Sequence, residues 1–414
     1  MEYGCIAEHL GHSFSREIHG ELADYFYELR EIPSDELERF MTERDFLGIN
    51  VTIPYKERVI PYLSFIDEQA KEIGAVNTVV NRGGTLYGYN TDFYGMSALI
   101  GRMGVELQGR KVAVLGTGGT SRTARAVARA LGAREILMVG RTPREGVISY
   151  EKLYASHSDV EFLINTTPLG MYPNLGGSAV ELSHFPMLLG VADAVYNPIR
   201  TTLVLDARRQ GIPAEGGLFM LVAQAVRASE IFLDTAHPVQ ATERVYQKIL
   251  QQKENIVLIG MPGCGKSTVG ALLAKEMGRT YCDLDTLIEQ AAGKTIPELF
   301  ADEGEDAFRD LETRVLKEEL ARRNGLIIAT GGGAILRDEN VDALRHNGRL
   351  YFLDRPVEEL IPTDDRPLAL DAEAILARYR ERYSRYCEVA DVQIKVMGDA
   401  AWVADAVRKE FDSL

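Results

Sequence analysis

The sequence predicts an α/β protein built in two successive halves, and three observations carry that expectation. In the second half the apolar run Asn255-Ile256-Val257-Leu258-Ile259 leads into Gly260-Met261-Pro262-Gly263-Cys264-Gly265-Lys266-Ser267-Thr268 and then into an Ala/Leu-rich helical pattern. That is a complete phosphate-binding loop set between a strand and a helix. In the first half Lys111–Leu115 reads as a buried strand, Gly116-Thr117-Gly118-Gly119 as a tight turn, Ser121–Leu131 as a helix stopped by Gly132, and Glu135–Val139 as a second strand. This is a βαβ unit of nucleotide-binding type. The length of 414 residues suits roughly two to three domains, each large enough to bury a core.

The other elements follow in order. Residues 1–95 mix short strand-like runs such as Gly48–Ile53 with amphipathic helices such as Asp35–Glu43. After the βαβ unit come two apolar runs that end in polar loops, Phe162–Asn165 and Val191–Val195. Helical periodicity returns over Leu218–Phe232 and Pro238–Leu250, and the polar run Gln251-Gln252-Lys253-Glu254 reads as a short linker. Beyond the phosphate loop, Tyr281-Cys282-Asp283-Leu284-Asp285 sits where a second strand ends, and Ile327-Ile328-Ala329-Thr330 runs into Gly331-Gly332-Gly333.

Composition narrows the function classes. With 46% apolar and 26% charged residues the chain is ordinary globular protein. A net charge of -15 argues against a nucleic-acid partner, because phosphate backbones call for a basic face, so an anionic ligand must be held by local positive charge. No apolar run is long enough to span a bilayer and the amino terminus shows no secretory pattern, which predicts no membrane partner and a cytoplasmic location. Cys5, Cys264, Cys282 and Cys387 are widely spaced with no Cys-x-x-Cys pair, which predicts neither a zinc site nor a disulfide framework. Cys264, inside the phosphate loop, is expected to make nucleotide binding sensitive to thiol reagents.

The phosphate chemistry is specific about residue types. Gly260, Gly263 and Gly265 let backbone N–H groups turn inward around a triphosphate such as ATP, with Cys264 and Thr268 in the same loop and helix start. Lys266 is placed to reach the β- and γ-phosphates, and the Ser267 hydroxyl to ligate Mg²⁺. In the first half Gly116, Gly118, Gly119, Thr120 and Ser121 form a weaker fingerprint, because Ser121 replaces the usual third glycine. The second strand of that unit closes at Arg141, followed by Thr142 and Arg144, where an NAD-binding fold places an acidic residue on the ribose. A guanidinium there matches the 2′-phosphate of NADP bidentately. A solvated arginine at a strand end is the plainer reading, and the residues alone leave both open.

A series of segments then resembles, in order, the signatures of the shikimate dehydrogenase family. They are Tyr3-Gly4-Cys5-Ile6, His12-Ser13-Phe14-Ser15, Asn50-Val51-Thr52-Ile53-Pro54-Tyr55-Lys56, Gly74-Ala75-Val76-Asn77-Thr78 and Gly88-Tyr89-Asn90-Thr91-Asp92, followed by Asn165–Met171, Asp193–Pro198 and Leu221–Ala225. The resemblance covers about residues 1–250 and implies an α/β substrate domain (1–95 plus 215–250) and a Rossmann-like NADP(H) domain (96–214). It implies reduction of 3-dehydroshikimate to shikimate, with Lys56 and Asp92 as the catalytic pair. The ammonium gives or shares the proton bound for the ketone oxygen and the carboxylate positions it. Ser13, Ser15, Thr52, Asn77, Tyr196 and Gln224 are implied as hydroxyl and amide partners of a small polyhydroxy carboxylate. Read without the family, Lys56 fits a surface lysine and Asp92 a turn or helix-cap residue. His9, His12 and His19 are expected as structural or surface groups. The chain departs from the family in having no proline soon after Ser15, a compact Gly20–Ile32 stretch, and Gly140 where an asparagine usually precedes the cofactor arginine.

Downstream, the phosphate loop, Asp283 and Asp285, Gly304–Arg309, Gly331–Gly333, Arg366-Pro367-Leu368 and Arg382-Tyr383-Ser384-Arg385-Tyr386 together resemble shikimate kinase, over about residues 255–395 of a parallel-sheet P-loop kinase domain taken as 255–414, after a linker at 251–254. The resemblance implies ATP-dependent phosphorylation of shikimate to shikimate 3-phosphate. Asp283 is implied to hold Mg²⁺ through water, and Asp285 to bind the acceptor hydroxyls and take a proton. Arg309, Gly331, Gly332, Gly333 and Arg382 are implied to bind the carboxylate and ring, and Arg366, on a mobile lid, to offset charge on the transferring group. Taken singly, Arg309 and Arg382 fit helix-surface ion-pair partners. The family's adenine-stacking arginine, a turn before Arg366, is missing: that stretch reads Glu358–Asp365, and the nearest cation is Arg355. The expected protein is therefore a bifunctional enzyme with two independent sites. The alternative is a quinate/shikimate dehydrogenase fused to a kinase-like domain that senses ligand without catalysis.

Overall fold

Six strands form the first sheet of the computed structural model, which describes residues 1–10, 13–360 and 372–413. These are β1 (Tyr3–Ala7), β2 (Tyr27–Glu31), β3 (Gly48–Val51), β4 (Phe65–Ile66), β5 (Thr78–Arg82) and β6 (Thr85–Tyr89), in the order β2-β1-β3-β5-β6-β4. β1 runs parallel to β2 and β3, whereas β5 is antiparallel to β3 and β6. Alternation buries one set of side chains, including Ile6, Ile49, Val51, Val79 and Leu86, and leaves polar groups at the strand ends. The chain leaving β3 delivers Thr52 and Lys56, and the chain leaving β6 delivers Asn90 to Asp92 at the start of helix Thr91–Arg102.

The second sheet is parallel throughout. Its strands β7 (Lys111–Leu115), β8 (Glu135–Val139), β9 (Val147–Ile148), β10 (Phe162–Asn165), β11 (Gly190–Asp193) and β12 (Ala214–Glu215) lie in the order β12-β11-β10-β7-β8-β9. The chain starts centrally, works outward to β9, then returns to the other side of β7. The carboxyl ends of β7 and β10 thus flank the switch point at which doubly wound sheets take ligands. Both strands are buried along their whole length, as a sheet covered on both faces requires.

Both sheets belong to one unit, Met1–Ile249, and the third belongs to a second unit, Leu250–Leu414. The third sheet is also parallel, with β13 (Asn255–Ile259), β14 (Thr280–Asp283), β15 (Leu326–Ala329), β16 (Gly348–Asp354) and β17 (Val392–Lys395) in the order β14-β15-β13-β16-β17. The wholly buried β13 is central, and the phosphate loop leaves its carboxyl end for helix Lys266–Met277.

Several boundaries move. Gln251–Lys253, expected as linker, form the last turn of helix Ala241–Lys253, because glutamine and lysine sustain a helix as well as end one. The strand expected over 48–53 stops at Val51, and the helix after Gly118 begins at Gly119. Helix Leu218–Leu233 packs against helix Thr91–Arg102 through Gly95, where an added Cβ would stand 2.6 Å from the Met220 carbonyl oxygen. That close approach holds Gln224 near Asp92. Among the described residues no helix is long and apolar enough to cross a membrane.

Candidate active sites

A cavity of about 410 Å³ in the first unit is lined by Lys56, Asp92, Ser13, Ser15, Thr52, Asn77, Tyr196 and Gln224 together. At its centre Lys56 Nζ lies 2.5 Å from Asp92 Oδ2. Neither residue is placed by chance. Tyr55 is fully buried and its hydroxyl donates to the Ile32 carbonyl, while the Lys56 carbonyl accepts from Val76 N at 2.8 Å. Asn90 caps helix Thr91–Arg102 by accepting from Phe93 N, which puts Asp92 in the first turn, where the helix N-terminus favours a carboxylate.

Asn77 completes the arrangement. Its Nδ2 donates to Asp92 Oδ1 at 2.9 Å and its Oδ1 accepts from Thr91 N at 2.7 Å. A chain of hydrogen bonds continues away from the pair, since Asn50 Nδ2 donates to Thr78 Oγ1 at 3.0 Å and Tyr27 donates to Asn50 Oδ1 at 2.6 Å. Thr120, expected on the cofactor side, also lines the cavity, as does Asn50, which did not stand out beforehand as a ligand-facing residue. For Asn50 a signal existed: it is the one polar residue in β3. His19, expected as structural or surface, is buried, stacked on Tyr27 at 3.9 Å, and borders the cavity. Gln224 Oε1 is buried and accepts nothing from any described residue, so an acceptor stands ready for a ligand donor.

The dinucleotide fingerprint sits at the switch point beside this cavity. Gly116 adopts φ +112°, and an added Cβ would stand 2.5 Å from Thr166 Oγ1, so only glycine fits. An added Cβ at Gly118 or Gly119 meets nothing within 4 Å, which leaves room in front of helix Gly119–Ala130, whose N-terminus has no side-chain cap. Such an end offers N–H groups to phosphate. Ser121, in place of the third glycine, turns its hydroxyl back to donate to the Gly118 carbonyl at 2.6 Å. Arg141 and Thr142 are exposed just past β8. Gly140 has a steric reason as well: a Cβ there would stand 2.8 Å from Thr117 Cγ2, so the Thr117 methyl fills the space an asparagine would need.

The second unit has its own cavity, of about 430 Å³, lined by Lys266, Ser267, Asp283, Asp285, Arg309, Gly331, Gly332, Gly333 and Arg382. Gly260, Gly263 and Gly265 all lie at positive φ, which folds the loop around the lysine. Lys266 is buried and donates to the Gly260 and Met261 carbonyls at 2.8 and 3.0 Å. Ser267 Oγ donates to Asp283 Oδ2 at 2.9 Å, Asp283 caps helix Leu284–Ala292, and Thr268 is exposed. A hydroxyl and a carboxylate oxygen side by side at a phosphate loop suit a hard divalent cation. Cys264 is buried, which shields it from reagents.

Arg309 and Arg382 are buried rather than on a helix surface. Arg309 Nη1 pairs with Glu312 at 2.8 Å and its guanidinium lies against Gly333, where any side chain would collide with it. Arg382 donates to the Gly332 carbonyl, which also accepts from Tyr386 at 2.5 Å. Gly331 faces Asp285 and Glu312: an added Cβ would stand 2.8 Å and 3.2 Å from their oxygens. Glu312 was not anticipated, although it follows Arg309 by three residues. It is wholly buried, burial holds its pKa above the usual carboxylate range, and its Oε1 has no described partner. Arg366 lies outside the described residues.

Comparison with known proteins agrees with the division of the chain into two enzyme families. The family model for the shikimate dehydrogenase substrate binding domain matches residues 5–79, and that for shikimate kinase matches residues 262–411. A shikimate dehydrogenase (NADP(+)) of Clostridium perfringens is 36% identical over 265 residues, covering 60% of this chain and 97% of the relative. A shikimate kinase of Clostridium botulinum is 47% identical over 138 residues, covering 32% of this chain and 82% of the relative. The crystal structure of a chorismate mutase/shikimate 5-dehydrogenase fusion protein from Clostridium acetobutylicum superposes with a TM-score of 0.57 at 34% identity, over 60% of this chain and 96% of that one. With relatives covered to 97% and 82% of their own length, the chain belongs to the shikimate dehydrogenase family through its first unit and to the shikimate kinase family through its second.

Proposed function

We propose that the first unit reduces 3-dehydroshikimate to shikimate with NADPH, and that the second phosphorylates shikimate with ATP and Mg²⁺, so that the product of one site is the acceptor of the other. The observation that carries this reading is the pairing, in one chain, of a Lys56–Asp92 ion pair in a cavity of uncharged polar groups with a phosphate loop opening on Asp285 and buried arginines. Residues 1–95 plus 215–250 serve as the substrate domain and 96–214 as the NADP domain in this proposal.

In the first site NADPH, when bound, supplies the hydride. The Lys56 ammonium donates the proton to the ketone oxygen, and Asp92 holds that ammonium in place, itself fixed by Asn77. Ser13, Ser15, Thr52, Tyr196 and Gln224 orient the hydroxyls and carboxylate. Gly116, Gly118, Gly119, Thr120 and Ser121 accommodate the pyrophosphate, with Arg141 and Thr142 at the 2′-phosphate.

In the second site Asp285 holds the acceptor hydroxyl and takes its proton, Arg309 and Arg382 hold the carboxylate, and Lys266 leaves its loop carbonyls for phosphate oxygens. Mg²⁺, when bound, neutralises phosphate charge, with the Ser267 hydroxyl and, through water, Asp283 as the residues that would hold it. The test gives the full chain 3-dehydroshikimate, NADPH and ATP together and follows NADPH loss and ADP formation. Both are expected, and ADP formation should cease when NADPH is left out. ADP that appears only with added shikimate would defeat the dehydrogenase assignment.

A further inference from the structure

The kinase cavity holds one more cation than the reaction has so far used. Arg378 lies in helix Ala372–Val389 one turn before Arg382, and both line the cavity with Arg309. The three guanidinium groups are not equivalent. Arg309 is neutralised by Glu312 and Glu305, at 2.8 and 3.2 Å. Among the described residues Arg382 has only the neutral Gly332 carbonyl, at 3.2 Å, and its Nε meets no acceptor. Arg378 Nε is likewise buried and meets no acceptor among the described residues. Burial, Arg382 and Arg309 all lower its pKa, against the pull of Glu305 and Glu381.

Two like charges four residues apart on one helix repel each other, and a buried N–H donor left unmet on a half-buried guanidinium costs stability. A fold keeps such a pair where an anion arrives to compensate it. The groups that act electrostatically on Arg378 are Arg382, Arg309, Glu305 and Glu381 rather than the phosphate-loop Lys266, which puts it on the acceptor side of the cavity. We propose that Arg378 is a third carboxylate-binding residue of the acceptor pocket, which sets how tightly the second unit takes an acid rather than how fast it transfers phosphate. This rests on the kinase reading above.

The test compares the full-length wild-type chain with Arg378→Leu and Arg378→Lys. ADP formation is followed with shikimate and with its analogue in which a primary alcohol replaces the carboxylate. For Arg378→Leu the KM for the acid should rise about tenfold, the worth of one charge-assisted hydrogen bond, while the KM for the alcohol stays within about twofold. Arg378→Lys, which keeps the charge and the folded helix, should recover part of the affinity for the acid. An unchanged KM for the acid, or equal losses for acid and alcohol, overturns the carboxylate role alone. A wild-type chain that forms no ADP from shikimate and ATP overturns the kinase reading and this inference with it.

Discussion

The two cavities hold their cations in opposite ways. Lys56 is already paired with the Asp92 carboxylate, and Asn77 holds that carboxylate from its other oxygen. Lys266 instead rests on two neutral carbonyls of its own loop, and Ser267 rests on Asp283. On the proposed roles of the two lysines, the difference follows from the chemistry each must do. Reduction of a ketone needs one proton donor held in one place, so the network around Lys56 is complete before substrate arrives. Phosphoryl transfer needs cations that move onto negative charge, and bonds to neutral carbonyls are weaker than those a phosphate offers.

The sharpest way to break this comparison is to remove each lysine. Lys56→Ala should lower reduction by about 10²- to 10⁴-fold and leave ADP formation nearly intact. Lys266→Ala should lower ADP formation by about 10²- to 10³-fold and spare reduction. Both rates, measured on the same folded preparations, decide it: joint loss in either variant would mean the sites are not independent.

How much of this was legible in the sequence differs between the halves of each site. The phosphate-handling parts were plain, because Gly116, Gly260 and Gly265 answer to backbone geometry that shows in local spacing. So were the buried strands Lys111–Leu115 and Asn255–Ile259, whose apolar runs need no partner to be recognised. Edge strand Val392–Lys395 escaped notice because its polar Gln393 and Lys395 alternate with half-buried apolar groups, a pattern too short to separate from a loop. Asn50 and Glu312 left only faint local traces, a lone polar residue in a buried strand and a carboxylate three residues after Arg309, and Arg378 left none. Their places in the cavities come from packing against segments far away in the chain, which local patterns do not encode.

The units also allow a comparison in acid. Each buries a neutral histidine: burial lowers the His19 pKa from 6.5 to about 3, and His346 from 6.5 to about 4. Below pH 6.5 the unfolded chain binds a proton that the folded chain refuses, so each histidine contributes stability that is lost as pH falls from 6.5 toward those values. The effect is of the order of a few kcal/mol at its limit. Melting temperatures of His19→Gln and His346→Gln between pH 7 and 4 should show a flatter acid limb than wild type, more so for His19. Parallel curves for all three proteins would mean other groups govern acid unfolding.

A smaller effect is expected at the edge of the dinucleotide site. Arg141 is exposed and works, in the proposed reading, only on the 2′-phosphate. Arg141→Ala should weaken NADPH binding by roughly 1.5–3 kcal/mol and leave NADH almost unchanged. Equal losses for the two cofactors by titration would give the arginine a structural role instead.

The smallest effect concerns the nucleotide base, and here the second site departs from its family's pattern. The adenine-stacking arginine is missing from Glu358–Asp365, of which 361–365 lie outside the described residues, and Arg355 is the nearest cation. Arg355 is engaged: its Nε donates to the Cys264 carbonyl at 3.3 Å and its Nη1 pairs with Glu359 at 3.2 Å. Its guanidinium thus braces the phosphate loop, and turning it onto a base would forfeit both contacts. Without an arginine on the adenine, about 1 kcal/mol of base recognition is absent. ATP should therefore show a raised KM and only weak preference over GTP, while phosphate-dependent binding is unaffected. Comparing kcat/KM for the two nucleotides in wild type and Arg355→Ala tests this. A strong preference for ATP that Arg355→Ala abolishes would show that the arginine leaves its brace to recognise the base.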